Sequence, residues 1–205
     1  MSQTPTSFKD WLTPVVLENE WVRLEPLSLS HVQDLAQVTD DAEIWRWLPV
    51  VAPKGTNEVR ALVQRGLEEL SRGERIPFAV IRAGVAVGTT SFLDLSPEHR
   101  SVEIGWTWYG QTARRTATNT ASKRLLLGYA FDAFRVRRVA FKTDVRNTAS
   151  NTALLRIGAT YEGALRSHRV LPDGSRRDSA YYSILDTEWP RIRRRLDQTL
   201  ASTSS

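Results

Sequence analysis

The chain has 205 residues, of which 41% are hydrophobic and 25% charged, proportions typical of one soluble globular domain. It contains no cysteine, which excludes a disulfide framework, a thiol nucleophile and a thiolate metal site, and we expect no metal cofactor. No apolar run approaches the roughly 18 residues of a membrane span, and residues 1–10 lack the charged-then-apolar pattern of a secretory signal. We therefore expect a cytoplasmic protein with no membrane partner.

The formal net charge of +5 is unevenly distributed along the chain. Residues 1–110 carry 10 basic and 15 acidic side chains, whereas residues 111–205 carry 18 basic and 8 acidic ones. The second half is therefore predicted to hold the surface that meets an anion, either a polyphosphate cofactor or a nucleic acid. Solvated helix faces, such as the arginines of residues 191–195, account for part of this charge.

The first half of the chain predicts a loose leader, one strand, three helices and a three-stranded meander. Apolar residues at Val59, Leu62 and Val63 recur with helical spacing, and Ala83-Gly84 is typical of a hairpin turn. The predicted ranges are 1–13 for the leader, 21–26 for the strand, 28–38, 41–48 and 56–71 for the helices, and 77–82, 85–93 and 101–109 for the meander.

The second half predicts a helix after a basic turn, a strand, a second helix, a hairpin and a final helix. Asn147 suits the N-cap of the second helix, and Gly158 suits its end. The predicted ranges are 112–117 for the turn, 138–144 for the strand, 147–157 for the helix, 161–170 and 175–185 for the hairpin, and a start near residue 187 for the last helix. This order predicts an α/β fold with a mixed sheet in one domain over residues 14–200, with a disordered tail at 201–205.

The basic turn and the strand end at residue 144 are the most informative features of the sequence. A basic turn that leads into a helix N-terminus is suited to phosphate, because free backbone N–H groups and the helix dipole point there. Asp144, Asn147 and Ser150 follow the neighbouring strand and can supply polar chemistry beside that turn.

Several separated motifs occur in an order that resembles the GCN5-related N-acetyltransferase (GNAT) superfamily, in particular its ribosomal-protein alanine acetyltransferases. The resemblance covers residues 22–189. The motifs are Glu103-Ile-Gly105, Arg114-Arg-Thr-Ala-Thr-Asn119, Lys142-Thr-Asp144, Asn147-x-x-Ser150, Gly158-Ala159, Glu162-Gly163, Arg177-Asp-Ser179 and Glu188-Trp189.

This resemblance implies a GNAT fold, a mostly antiparallel twisted sheet with one splayed parallel strand pair and helices on both faces. It also implies acetyl transfer from acetyl-CoA to a primary amine, by direct attack in a ternary complex. The pantetheine arm would lie between the strands that end at Tyr109 and Asp144. The residues implied to bind the cofactor are Trp106, Thr107, Trp108, Arg114, Arg115, Thr116, Ala117, Thr118, Asn119 and Asn147.

The phosphate turn departs from the pattern of the superfamily. Relatives usually carry glycines at two positions, where this chain has Arg115 and Ala117. Glycine allows a backbone to wrap closely around a phosphate, whereas arginine neutralises phosphate with its side chain. We expect cofactor binding to persist, with more of it supplied by side-chain charge.

Two residues after the second strand have alternative interpretations. The spacing of Asn147 and Ser150 suits an N-cap and a residue of the first helical turn. The resemblance adds that Asn147 contacts the pantetheine arm and that Ser150 protonates the leaving thiolate. Other GNAT enzymes often use a tyrosine one turn later, where this chain has Leu155.

Three residues are candidates for the general base, because an ammonium nucleophile must lose a proton before it attacks. Asp144 matches a strand-end position at which some relatives carry a catalytic glutamate. Glu103 lies on the adjacent strand, and His168 lies near the place where relatives have a substrate-side acid. A strand-end aspartate that binds backbone donors and a structural histidine are the alternatives.

The acceptor is left open by the sequence. A protein N-terminus and a small-molecule amine are both compatible with the resemblance, and Trp45 and Trp47 either line the acceptor pocket or pack in the core. A regulatory domain that binds acyl-CoA without catalysis and a basic nucleic-acid-binding protein are the rival interpretations. The chain lacks the aromatic and basic interleaving of single-strand binders, so no stable nucleic-acid partner is expected. A homodimer is compatible with the sequence.

Overall fold

The computed structural model describes residues 8–203, which form a mixed α/β fold around one eight-stranded sheet. The strand order is β1-β2-β3-β4-β5-β6-β8-β7, and every neighbouring pair is antiparallel except β5 and β6. The strands are β1 (Leu17–Glu18), β2 (Arg23–Pro26), β3 (Arg75–Arg82), β4 (Val85–Ser96), β5 (Ser101–Tyr109), β6 (Arg138–Asp144), β7 (Thr160–Val170) and β8 (Arg176–Leu185).

The helices confirm the predicted elements, with small shifts at their ends. The α-helices are α1 (Phe8–Trp11), α2 (Val32–Ala36), α3 (Ala42–Trp45), α4 (Gly55–Ser71), α5 (Thr118–Gly128), α6 (Thr148–Arg156) and α7 (Trp189–Ala201). The predicted helix over 28–38 begins as a 3₁₀ turn, and α5 continues into a π-helical turn at Tyr129–Ala133. Strand β1 was not predicted, because two residues are too few to establish an alternating pattern.

Two apolar clusters cover the two faces of the sheet. The larger cluster joins α5 and α7 to residues such as Ile104 and Phe141. The smaller one joins α2, α3 and α4 to Trp108, which is 5% exposed. Val102 and Ile104 face the larger cluster, whereas Trp108 faces the smaller one, because an irregularity in the pairing of β5 with β4 shifts the alternation between them. The strand between them carries side chains toward both helical layers.

The predicted loose leader (1–13) and disordered tail (201–205) are partly helical where the structure describes them. Phe8–Trp11 forms a helix, and Trp11 is 2% exposed with its ring stacked on Phe134 at 4.5 Å. The aromatic surface buried by Trp11 explains why this segment is ordered. At the other end, Ala201 belongs to α7, and Ser202 donates its N–H to the carbonyl of Gln198. The remaining leader and tail residues, 1–7 and 204–205, lie outside the described residues.

No helix within residues 8–203 combines the length and the apolar character that a membrane span requires.

Candidate functional site

Strands β5 and β6 separate along their length, as the resemblance implies. Their parallel pairing is limited to three residue pairs, which begin at Ser101 with Arg138 and end at Glu103 with Ala140. Beyond that point, the β5 backbone over residues 104–109 has no strand partner on its β6 side among the described residues. An unpaired strand edge inside a sheet offers N–H and C=O groups to an extended ligand.

A β-bulge at Trp106 changes the direction of β5 within this gap. The pairing with β4 shifts so that Thr90 lies opposite two residues, and Trp106 has a φ of 49°, a value uncommon for a residue other than glycine. The Trp106 ring lies 4.6 Å from the guanidinium of Arg75, which also donates 2.8 Å to Ser91 Oγ and 3.0 Å to Glu69. Burial lowers the pKa of Arg75, and Glu69 partly offsets that effect. This buried arginine therefore helps to hold the bulge.

The other face of the splayed strand carries a buried lysine. Lys123 of α5 is 5% exposed and donates 2.8 Å to Thr107 Oγ1, which also lies 2.8 Å from Thr90 Oγ1. Burial lowers the pKa of Lys123 from 10.5 to about 7. No carboxylate within the described residues pairs with this ammonium group.

The phosphate turn lies between β5 and the N-terminus of α5, as predicted. Arg115 has a φ of 59°, so the residue that replaces a glycine of the superfamily occupies a left-handed conformation. Its side chain is exposed and forms no ion pair with any described residue. Arg114, in contrast, pairs with Asp41, the N-cap residue of α3. Arg115 is therefore the cation of this turn that remains available to a phosphate.

The rest of the turn is organised by hydroxyl groups. Thr116 Oγ1 donates 2.8 Å to the carbonyl of Ala113, lies 2.9 Å from Thr118 Oγ1 and accepts 3.2 Å from the Thr118 N–H. Ala117 occupies the N-cap position, and Asn119 follows in the first turn of α5. The helix N-terminus thus begins at the turn, where its dipole favours an anion.

The end of β6 places the predicted polar residues around the start of α6. Asn147 is the N-cap, and its side-chain oxygen accepts 3.0 Å from the Ser150 N–H. The Ser150 hydroxyl is half-buried and makes no hydrogen bond within residues 8–203. Asp144 is fully buried and accepts three hydrogen bonds of 2.8–3.0 Å from Arg146. Burial raises the pKa of Asp144, but Arg146 outweighs that effect and holds it below its usual range. This arrangement favours the anchoring interpretation of Asp144.

A carboxylate pair shares a lysine on the face of the sheet opposite α5. Lys142 Nζ lies 2.7 Å from Glu103 and 2.6 Å from Asp94. Glu103 is 7% exposed, and burial raises its pKa to about 7, although Lys142 opposes the shift. A Cβ atom on Gly105 would lie 3.0 Å from the Glu103 carboxylate, so the glycine of this motif leaves room for it. Glu103 is therefore a carboxylate whose charge changes near neutral pH.

His168 joins this cluster through Tyr181. A bulge in β7 places Ser167 at a φ of 52° and returns the pairing with β8 at Arg169. His168 Nδ1 then lies 2.9 Å from Ser179 Oγ, and Nε2 lies 3.4 Å from the Tyr181 hydroxyl. The Lys142 ammonium group lies 5.3 Å from the centre of the Tyr181 ring. Burial, with nearby cations, lowers the pKa of His168, so the ring is neutral at pH 7.

Comparison with known proteins identifies the family. Residues 22–160 match the model of the acetyltransferase (GNAT) domain. The chain belongs to the GNAT family. It is an N-acetyltransferase, and the fold and family implied by the sequence resemblance are confirmed.

Relatives of this GNAT domain include ribosomal-protein acetyltransferases. The chain is 23% identical over 180 residues to the ribosomal-protein-serine acetyltransferase of Escherichia coli K12, covering 86% of this chain and all of the relative. A GCN5-related N-acetyltransferase from Brucella melitensis shares 28% identity with a TM-score of 0.85, over 91% of this chain and 85% of that one. Mycobacterium smegmatis RimJ, solved with CoA-disulfide, is 21% identical with a TM-score of 0.78, over 91% and 93% of the two chains, and shows the same fold.

The two tryptophans in and just after α3, Trp45 and Trp47, have different environments. Trp45 is 4% exposed, contacts Trp108 at 5.2 Å and donates 2.9 Å to the carbonyl of Thr39, so it packs in the core. Trp47 is half-buried and has the guanidinium of Arg146 5.3 Å from its ring centre. Trp47 therefore lies partly at the surface and not in the core, and its place in the acceptor pocket stays a prediction.

The structure brings some of the predicted residues together and separates others. Glu103 and His168 share one cluster, which is connected through Lys142 and Tyr181. Asp144, Asn147 and Ser150 lie together at the end of β6. The side chains of Trp106, Thr107 and Trp108 are engaged within the protein, so this strand offers its backbone to a ligand.

Four side chains beside the predicted site residues were missed by sequence reasoning. Lys142 belonged to a recognised motif, but its partners Glu103 and Asp94 come from strands that only the sheet brings together. The missed residues are Arg75, Lys123, Lys142 and Tyr181. Lys123 lies one helical turn before Leu126 and Leu127, on the apolar stripe of α5, and this spacing was the one available sequence signal.

Proposed function

We propose that this enzyme transfers the acetyl group of acetyl-CoA to the primary amine of a protein N-terminus or a small molecule. The observation that carries the proposal is the gap between β5 and β6, which opens beside the buried carboxylate of Glu103. A strand edge for an extended thioester and a base that titrates near neutral pH are the two components that amine acylation needs. The ribosomal-protein acetyltransferase relative favours a protein amine.

The residues present fit the pantetheine and pyrophosphate of CoA. The free backbone of residues 104–109 would pair with the pantetheine amides in the manner of a strand. Arg115 and the N-terminus of α5 would hold the pyrophosphate, with Thr116 keeping the turn in shape. Asn147 would contribute to the pantetheine side of the gap while its side-chain oxygen caps α6.

In the proposed reaction, Glu103 takes the proton that the attacking ammonium group must lose. The amine then forms a bond to the thioester carbonyl carbon, and a backbone N–H of the β5 bulge donates to the carbonyl oxygen as negative charge develops there. Lys142 stays charged, because burial lowers its pKa less than Asp94 and Glu103 raise it. A charged Lys142 keeps the Glu103 carboxylate in place before and after it takes the proton.

The second half of the reaction breaks the carbon–sulfur bond. Ser150 or a water molecule gives a proton to the leaving thiolate, and the newly acylated nitrogen returns its remaining excess proton to Ser150 or to water. The amide and the CoA thiol are then both neutral, and no covalent intermediate forms on the enzyme. The Ser150 hydroxyl makes no hydrogen bond within residues 8–203, which supports this role. Asp144 is proposed to position the start of α6 through Arg146, and His168 to orient the acceptor side through Tyr181.

The proposal is tested by release of free CoA thiol from acetyl-CoA across peptides, polyamines and aminoglycosides. We expect turnover with one of these acceptor classes and a roughly 100-fold lower kcat for Ser150→Ala, the lower end of the usual effect of losing a general acid, because water can also protonate the thiolate. Thr152→Ala, on the same helix, is the matched control and should keep full activity. Binding of CoA without thiol release from any acceptor would contradict catalysis.

The Arg115→Gly variant tests how the turn binds phosphate. We expect CoA affinity to fall roughly 5- to 20-fold, because the charge-assisted contact is lost. Stability should change by less than about 1 kcal/mol, since relief of the left-handed strain is offset by the greater freedom of an unfolded glycine. Titration calorimetry with CoA measures the first effect and urea unfolding measures the second. Arg115→Lys, which keeps the charge, should retain most of the affinity. Equal CoA affinity of the glycine variant and the wild type would show that the backbone alone binds the phosphate.

A further inference from the structure

Five arginines lie at or beside the β7–β8 hairpin, close to the cluster of Glu103, Lys142, Tyr181 and His168. They are residues 146, 166, 169, 176 and 177. An open cleft of about 1070 Å³ is lined there by Arg146, Arg166, His168, Arg176 and Asp178, together with small and aliphatic residues. We call this feature the hairpin cleft. The phosphate turn, by comparison, has two arginines, and one of them is paired with Asp41. The proposed cofactor site thus leaves most of this positive charge without a partner.

Two of the three arginines that line the hairpin cleft form no ion pair with any described carboxylate. Arg146 is paired with Asp144 at 2.8 Å, but Arg166 and Arg176 are exposed and form no ion pair with any described residue. Asp178 is the one carboxylate that lines the cleft, and its oxygen already accepts 2.6 Å from the Ser167 N–H. The cleft is therefore positively charged and can accept anionic groups.

A buried arginine extends this charge toward the reacting groups. Arg177 is 9% exposed, and its Nε has no hydrogen-bond partner within residues 8–203. Its one hydrogen bond is a 3.4 Å contact to the carbonyl of Trp47. A buried guanidinium without a carboxylate costs free energy that an anionic ligand would recover. Arg176 lines the cleft at the surface, and Arg177, the next residue of β8, adds a buried charge beside it.

The hairpin cleft opens toward the proposed reaction centre. His168 lines the cleft and contacts Tyr181, whose ring faces Lys142, and Lys142 holds Glu103 at 2.7 Å. β7 is the last strand of the sheet, so its outer edge has free backbone groups for an extended chain. A ligand that reaches Glu103 can therefore continue along the cleft.

We propose that the hairpin cleft binds an acidic N-terminal segment of the acceptor protein. The terminal amine reaches Glu103, and carboxylates of the next residues pair with Arg166, Arg176 and Arg177. This inference rests on the proposed acetyl transfer and names the acceptor class of the same site. The aliphatic lining, which includes Val145 and Leu165, suits a peptide better than RNA, because single-stranded RNA needs exposed aromatic rings for base stacking.

The test compares two acceptor peptides that share length and N-terminal residue. One carries Asp and Glu at the following positions, and the other carries Asn and Gln there. We expect kcat/KM to be roughly 10- to 30-fold higher for the acidic peptide at low salt, with the ratio falling as salt rises. In the double variant Arg166→Gln/Arg176→Gln, KM for the acidic peptide should rise until the two peptides are nearly equal, with kcat unchanged.

The matched control is Arg194→Gln/Arg195→Gln, which removes the same charge from the exposed face of α7 and should keep the acidic preference. Circular dichroism establishes that both double variants are folded. Equal use of the two peptides by the wild type would overturn the acidic-acceptor inference while leaving acetyl transfer intact. Acetylation of neither peptide would overturn it together with the choice of a protein acceptor. Inhibition by RNA that disappears in the hairpin variant, with no peptide preference, would assign the cleft to nucleic acid instead.

Discussion

Glu103→Gln is expected to lower kcat/KM for the acceptor amine by about 100- to 10,000-fold, the usual contribution of a general base. The amide has nearly the same shape as the carboxylate but cannot take the proton of the attacking ammonium group. Lys142 keeps its 2.6 Å partner Asp94 in the variant, so the fold should persist. The measurement is the initial rate of thiol release under acceptor-limited conditions, with CoA affinity determined separately.

The pH dependence identifies Glu103 more specifically than the loss of rate. Burial raises its pKa from 4.5 to about 7, so the active, deprotonated form grows as pH rises through about 7. The wild-type kcat/KM should therefore rise across that region and then level off, and Glu103→Gln should lose this limb. The acceptor amine contributes its own limb, near 8 for an α-amino group, which stays in both proteins and moves when the acceptor is changed.

Two further variants distinguish the loss of a catalytic carboxylate from a loss of folding. Glu162→Gln removes a half-buried carboxylate that pairs with Arg138 elsewhere on the sheet, and its activity should stay close to that of the wild type. In Gly105→Ala, the added Cβ would lie 2.8 Å from Leu93 Cδ1 and 3.0 Å from a Glu103 carboxylate oxygen, so both side chains must move. The limb near pH 7 should shift with the Glu103 carboxylate. An unchanged limb in Glu103→Gln would assign the base to another group.

Local signals were sufficient to predict most of the fold. The turn at Ala83 and Gly84 has left-handed φ values of 49° and 80°, as a tight hairpin requires, and β6 spans the predicted range. Apolar spacing predicted α4 to within one residue at its start. These elements depend on neighbours in the chain, and local patterns therefore determine them.

The site depended on contacts that local patterns do not specify. Glu103 was one of three candidate bases, and its distinction comes from burial and from Lys142, which lies on a strand that pairs with β5 over only three positions. Asp144 looked equally suitable until the structure placed Arg146 across both of its oxygens. The pKa of a carboxylate is set by burial and by partners from distant segments, which a single sequence does not reveal.

Lys123→Met is expected to stabilise the protein, and the gain should depend on pH. The folded-state pKa of Lys123 lies below its unfolded value, at about 7 instead of 10.5, because burial opposes the charged form. The unfolded chain therefore binds more protons between these pH values, and stability rises with pH across that window. At about 1.4 kcal/mol for each pH unit, the lysine costs on the order of 5 kcal/mol below pH 7.

The net gain is smaller, since the 2.8 Å hydrogen bond to Thr107 is lost as well. Such a bond contributes about 1.5–3 kcal/mol, so the variant should gain roughly 2–3 kcal/mol at about pH 6. The gain should shrink by about the same amount at about pH 9, where most of the lysine penalty has disappeared. Urea unfolding of both proteins at the two pH values measures the difference.

The matched control is Arg124→Met, the next residue of α5, whose guanidinium pairs with Asp197 at 2.6 Å. Arginine does not titrate in this range, so any stability change in the control should be the same at both pH values. A pH-independent difference for Lys123→Met, or a loss of stability at low pH, would mean that the buried lysine stays charged. The expected result would instead show that the chain carries a destabilising lysine against Thr107 of the splayed strand.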